Sequence, residues 1–316
     1  MSITCSHCKA RPAFFLRRYS GEALCKNCFI VNFEKRVYRT IKKHELITWG
    51  DKVLAAVSGG KDSLVLLHLL AKLRKKLKFE LIAITVDEGV RGYRSRGIEL
   101  AQNEARKLGI EHFVVSFKDA YGFTLDEIVE IAQKRGIELH PCSFCGILRR
   151  RLINETALKV GANKVATAHN LDDEAQTVVI NLIRGDLLKV VRLGVKPPIS
   201  HEKFVPRIKP LRYTPENEIA VYAMLKRIEL YDVECPYIRL AMRDEIRNFL
   251  NELEEKHPGT KHSIVSSADK LVQELKATVV PKIQIKTCKI CGMPSTREIC
   301  RTCELFKQLG ISKPSP

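Results

Sequence analysis

At 316 residues the chain has room for one sizeable α/β domain with small satellites, and 45% apolar residues can fill its core. It contains no apolar run of about 18 residues, and its first residues carry cysteines and charges, so neither a membrane span nor a secretory leader is expected and a cytoplasmic setting is. The 54 Lys and Arg outnumber the 36 Asp and Glu for a formal net charge of +18, which calls for a polyanionic partner; a basic surface kept only for solubility is the blander reading.

Eleven cysteines in such a setting argue for metal sites over disulfides, and they sort by spacing into four, four and three. The first four, Cys5, Cys8, Cys25 and Cys28, form C-x2-C-x16-C-x2-C, the spacing of a structural four-thiolate zinc site with no open coordination position. Residues 1–30 therefore read as a zinc finger. A helical connector follows over 31–48, with Phe33, Val37 and Ile41 on one face.

A catalytic domain is expected over 49–213. The apolar run Val53–Val57 leads into Ser58-Gly59-Gly60-Lys61-Asp62-Ser63 and then into helical periodicity from Leu64: a strand, a glycine turn and a helix start. Backbone amides, a lysine and a helix N-terminus make this an anion site, with Ala56 and Val57 at its edge. Its spacing is not that of the common phosphate loop, which has four residues between its first Gly and Gly-Lys-Ser/Thr. The strand Phe79–Val86 ends in Asp87-Glu88-Gly89, where Asp87 faces a nucleoside or simply forms a turn.

A helix over Ser95–Leu108 and a strand over His112–Phe117 continue a β-α-β rhythm, so the sheet should be mostly parallel. A helix over Thr124–Arg135 precedes His140-Pro141-Cys142-Ser143-Phe144-Cys145-Gly146, and a basic helix from Gly146 to Val160 carries Arg149, Arg150 and Arg151. After a strand over Lys164–Ala168 comes His169-Asn170-Leu171-Asp172-Asp173-Glu174. The acids either complement a helix dipole or serve chemistry, with His169 near phosphate and Asp172 or Asp173 near magnesium or the substrate base. Residues 185–215 read as a mobile loop holding a further strand, Phe204–Leu211, with Arg207 and Lys209. A helical extension spans 214–280, with helices over Glu216–Leu230, Arg239–Glu255 and Thr260–Ala277 and with Cys235 in a turn. Residues 281–316 form a second zinc finger from Cys288, Cys291, Cys300 and Cys303.

Cys142, Cys145 and Cys235 remain. Three thiolates without a fourth suit a [4Fe–4S] cluster with one open iron, or persulfide transfer through Cys142 and Cys235, or a zinc site completed by His140.

The string Ser58–Ser63 resembles the PP-loop of the ATP pyrophosphatases, which split ATP between its α and β phosphates. Joined with Cys142, Cys145, the Asp172-Asp173 segment, Cys235 and a cysteine module at each end, it resembles the tRNA 2-thiouridine synthetases of the TtuA type, in the TtcA/TtuA group. The 2-thiocytidine synthetases share the PP-loop and the central cysteines but lack the paired modules. The resemblance implies an open sheet of about five parallel strands, ordered 3-2-1-4-5, of the adenine nucleotide alpha hydrolase-like kind. It implies ATP over the PP-loop, a cluster on the three central cysteines beside it, and two Zn2+. The family often has a lysine shortly after the CxxC pair. Arg149 occupies that neighbourhood here, and its permanent charge suits charge stabilisation and not proton abstraction.

The implied reaction is adenylation of a uridine C2 carbonyl, which then exchanges oxygen for sulfur with loss of AMP. Lys61, the loop amides and Mg2+ would stabilise charge on the phosphates, and the open iron would hold hydrosulfide. The expected target is a uridine of the T-loop type, position 54, giving 2-thiouridine or 5-methyl-2-thiouridine; wobble uridine 34 is the alternative. The implied partners are tRNA and a ubiquitin-like sulfur carrier or another sulfide donor, and the apolar helices of 214–278 leave room for a homodimer. A zinc-module RNA-binding protein with a regulatory nucleotide site, and an amide-forming ATP pyrophosphatase, are the competing classes.

Overall fold

The computed structural model describes residues 3–138, 140–195, 201–231, 233–237, 242–279 and 285–311, with backbone alone for 187, 188 and 276–279. In chain order the elements are β1 (Phe15–Arg17), β2 (Glu22–Leu24), α1 (Lys26–Lys43), β3 (Lys52–Ala56), α2 (Lys61–Leu77), β4 (Glu80–Asp87), α3 (Arg94–Lys107) and β5 (Glu111–Ser116). Then come α4 (Phe117–Tyr121), α5 (Leu125–Lys134), α6 (Pro141–Lys159), β6 (Lys164–Ala166), α7 (Leu171–Ile183), α8 (Leu187–Val191), β7 (Arg207–Ile208) and α9 (Glu216–Leu225). The chain closes with α10 (Met242–Lys256), α11 (Thr260–Val279), β8 (Lys286–Thr287), β9 (Pro294–Ser295) and α12 (Arg301–Leu309).

Five strands form one sheet in the order β5-β4-β3-β6-β7, every pair parallel. Counted within the sheet this is 3-2-1-4-5, as the resemblance implied. Strand residues alternate between faces, and the core divides accordingly. Val53, Ala55, Leu81 and Ala83 pack with α1, α2, α3 and α9, whereas Leu54, Ile82, Ile84 and Val165 pack with α4, α5, α6 and α12. The strand order reverses between β3 and β6, and ligand crevices form beyond the carboxyl ends of strands at such a point.

The cysteine modules are fused to these two layers. Cys5, Leu24 and Cys25 share a core with Phe29, Phe33, Val37 and Ile41 of α1, so α1 is a core helix. Buried Glu218 of α9 binds Arg17 at 2.9 Å, Arg36 at 3.0 Å and the Tyr19 hydroxyl at 2.7 Å, which fastens β1 to the body. At the other end, Leu305, Phe306 and Leu309 of α12 enter the core containing Phe144 and Leu148 of α6.

Several boundaries differ from the sequence reading. The region 185–215 holds the short helix α8 and a two-residue β7, while 196–200 lie outside the described residues, as do 239–241 of the helix expected from Arg239. The helix expected from Gly146 starts at Pro141, because proline suits a first helical position and the His140 ring Nδ1 accepts the Cys142 amide at 3.1 Å. Cys142 and Cys145 thus lie in the opening turns of α6.

Candidate active site

A cavity of about 620 Å³ opens at the switch point. Its floor is the glycine turn: Ala56, Val57, Ser58, Gly60, Asp62 and Ser63 all line it. The Ser63 hydroxyl accepts the Ser58 amide at 3.0 Å and donates to the Gly60 carbonyl at 2.8 Å, closing the turn on the start of α2. Gly59 has φ +84°, and a Cβ there would stand 2.1 Å from the Gly97 carbonyl oxygen, so conformation and space both demand glycine. The Lys61 ammonium bonds Glu216 and lies 3.6 Å from Asp62.

The three acids that open α7 point in three directions, as successive helical residues must. Asp172 is buried outside the cavity lining; it bonds Lys261 of α11 and accepts the Glu216 amide at 2.8 Å. Asp173 lines the cavity and completes a capping box with Asn170. Glu174 bonds Arg212 and holds Lys209 at 2.6 Å. The Asp172 expected near magnesium or the base is therefore committed to joining α7 to α11.

Cations come from five parts of the chain: Arg94, Arg149 and Arg150, Arg192, Arg207 and Lys209, and Arg243. Burial, with the charge of Arg150, lowers Arg207 to about 10, and burial lowers Lys209 to about 8. Burial among these cations depresses His169 to about 3, so its ring is neutral, with Nδ1 2.9 Å from the Thr167 hydroxyl. Burial raises Asp62 to about 7, helped by the charges of Glu216 and Asp173, and Asp173 shifts the same way. The Asp62 Oδ1 is buried without a hydrogen-bond partner. An orphaned carboxylate oxygen with a second raised carboxylate on the same cavity lining offers oxygen donors of the kind a hard divalent cation takes.

A clamp invisible in the sequence ties floor to wall. Arg94 grips Glu88 through two bonds of 2.6 and 2.7 Å and donates to the Ser58 and Val86 carbonyls at 3.1 Å. Arg149 reaches the same carboxylate at 3.4 Å. The charged string Asp87-Glu88 was legible, but its partner role was not; Asp87 accepts the Gly89 amide at 2.9 Å, a turn-forming contact, and does not line the cavity.

The turn holding Cys235 is pinned beside α6. Tyr237 donates its hydroxyl to Asp126 at 2.8 Å, and its carbonyl accepts the Cys142 thiol at 3.7 Å. Arg149, one turn beyond Cys145, is 46% exposed and lines the cavity. Burial pushes Cys145 up to about 11 and raises Cys142 and Cys235, so a metal must displace their protons. Among the described residues, only the two terminal cysteine groups bring at least three ligand atoms within 4.8 Å of one another. Their Sγ separations include 3.9 Å for Cys8–Cys25 and 3.6 Å for Cys291–Cys300, matching the ~3.8 Å edge of a tetrahedron with ~2.3 Å zinc–sulfur bonds. The central three thiols do not close that far, which suits a multi-iron cluster better than a single ion completed by His140.

The PP-loop domain description matches residues 30–254, and that of the 2-thiouridine synthetase TtuA N-terminal LIM domain matches 4–30. The tRNA 2-thiolation protein NcsA of Haloferax volcanii is 37% identical over 97% of this chain and 99% of its own. The chain belongs to the PP-loop family of tRNA 2-thiolation proteins. Cytoplasmic tRNA 2-thiolation protein 1 of Chlamydomonas reinhardtii is 36% identical, covering 98% of this chain and 86% of its own. Among solved structures, the U34-tRNA thiolase NcsA from Methanococcus maripaludis with its [4Fe-4S] cluster matches at TM-score 0.85 and 38% identity, covering 100% of this chain and 99% of that one. A family of ATP-dependent sulfurtransferases fits the cavity built here, and no described helix is long and apolar enough to cross a membrane.

Proposed function

We propose that this chain is a cytoplasmic thiolase of the tRNA wobble uridine, U34, acting through ATP-dependent adenylation of the C2 carbonyl. The observation that carries the reading is the adjacency of the pinned Cys235 turn and the opening turns of α6 to Arg149, on the wall of the cavity floored by the PP-loop. Position 34 is favoured over T-loop position 54 by full-length likeness to a thiolase named for U34.

ATP lies with its phosphates on the amides of Gly59–Ser63, with Lys61 released from Glu216 to the leaving pyrophosphate. The carbonyl oxygen of uridine attacks the α-phosphorus, and the cavity arginines stabilise the charge that builds there. A reduced sulfur nucleophile then adds at C2 and AMP departs, so oxygen leaves on phosphate and sulfur stays on the base. Asp62 and Asp173 would hold Mg2+, which neutralises phosphate charge. Cys142, Cys145 and Cys235 would hold a [4Fe–4S] cluster, which when bound supplies a site for reduced sulfur. Arg149 keeps that rim positive, and neutral His169 orients a polar group without adding charge. Each terminal module would hold one Zn2+, as a rigid support at either end of the body.

The proposal extends to a ubiquitin-like or other sulfide donor, to a homodimer, and to functional segments at 1–30, 31–48, 49–213, 214–280 and 281–316. The test is anaerobic purification with metal analysis, then mass spectrometry of digested tRNA after incubation with ATP and sulfide. About four irons and two zincs, with sulfur on uridine 34, are expected. Sulfur on another position, or full thiolation by Cys142→Ala, Cys145→Ala and Cys235→Ala, defeats the reading.

A further inference from the structure

A second cavity, of about 790 Å³, lies between α1 and α11 and shares Gly194 with the wall of the first. Arg36, Arg39, Lys43 and Lys270 line it, facing the acids Glu45 and Asp269. Two of these charges are already matched: Arg36 pairs with Glu218 at 3.0 Å, and Asp269 pairs with Arg212 at 2.7 Å. Among the described residues Arg39, Lys43 and Lys270 enter no ion pair, and all three are exposed. Three unmatched cations against one unmatched carboxylate leave a strong demand for anion. The rings of His44 and Tyr213, stacked at 5.7 Å and 26°, line the same space and offer a flat aromatic surface.

We infer that this cleft seats the sugar-phosphate backbone of the RNA next to the reacting uridine, with phosphates on Arg39, Lys43 and Lys270. The inference rests on the tRNA reading above and gives it a path. A base can leave its stack for the ATP cavity only if the strand beside it is held close by, and the segment at Gly194 borders both spaces. Cations that grip phosphate fix the strand's position while leaving its sequence unread.

The experiment compares the full chain with Arg39→Ala, Lys43→Ala and Lys270→Ala combined, and with a control of equal charge change on other surfaces: Lys75→Ala, Lys134→Ala and Lys159→Ala. Affinity for a full-length tRNA transcript is measured across salt concentrations, ATP affinity is measured separately, and wild-type thiolation is followed in parallel. Losing three phosphate contacts should lower the slope of log affinity against log salt by about 2 to 3. ATP affinity should hold, and the control should match wild type. An unchanged slope overturns the inference, as does an equal loss in the control set or an equal loss of ATP affinity. Wild type that binds tRNA in the cleft without thiolating it defeats the functional reading and not this one.

Discussion

Replacing Arg94 tests whether the floor and wall of the nucleotide cavity are one unit. Glu88 is 3% exposed, and Arg94 supplies both of its short hydrogen bonds. In Arg94→Ala the carboxylate keeps only Arg149 at 3.4 Å, a contact screened by the open side of that guanidinium. Breaking a buried pair from one side costs about 3–5 kcal/mol, and the remaining arginine places this case near 3 kcal/mol. The Ser58 and Val86 carbonyls lose their donor in the same variant. Removing both partners, in Glu88→Ala with Arg94→Ala, leaves no stranded charge, so the double variant should be more stable than the sum of single costs predicts by at least about 1 kcal/mol. Urea unfolding followed by circular dichroism measures stability, and ATP titration reports the loop. Arg94→Lys should recover little of either, since one ammonium cannot match a fork that bridges a carboxylate and two carbonyls. Strict additivity, or a cost below about 1 kcal/mol for Arg94→Ala, would refute the clamp.

Two further outcomes follow from the loop itself. Gly59→Ala should lower Tm by several degrees and abolish ATP binding, because its left-handed φ costs about 1–2 kcal/mol and its Cβ would strike the Gly97 backbone. Gly60→Ala, at φ −77° with only the Ser58 hydroxyl 3.5 Å away, should fold like wild type; equal thermal destabilisation of the two variants would contradict the account. Asp62 titrates at about 7, above the usual carboxylate range, so it is neutral below that pH and ionised above it. Without divalent cations, ATP affinity should therefore fall as pH rises through 7, and Asp62→Asn should flatten the profile. The same shift costs stability as pH climbs from about 4 to 7, since the folded state holds a proton there that the unfolded chain releases. A wild-type profile as flat as that of Asp62→Asn would show that the carboxylate does not face the phosphates.

What could be read from the sequence and what could not divides along contact distance. The PP-loop is local: a strand, two glycines and a helix start fix its shape within a few residues, and the φ of Gly59 follows from that shape. The terminal cysteine groups are nearly as local, since each pair is held by a single turn. The start of α6 was also legible, because Pro141 after His140 is a helix-opening signal. The basic run beyond Gly146 is the more conspicuous pattern, yet the helix opens at Pro141. The role of Asp172 lay beyond reach. Three acids opening α7 look alike in sequence, and only the arrival of Lys261, 89 residues later, separates the buried structural carboxylate from Asp173 on the cavity wall. The cationic wall assembles in the same way from α3, α6, the end of α8, the β7 segment and α10, so its arginines look like solvated surface until the sheet places them together. The resemblance supplied the strand order that periodicity alone did not. With that order known, the reversal between β3 and β6 fixes where the cavity opens, and any cation just beyond the carboxyl ends of β3, β4, β6 or β7 becomes a candidate for phosphate.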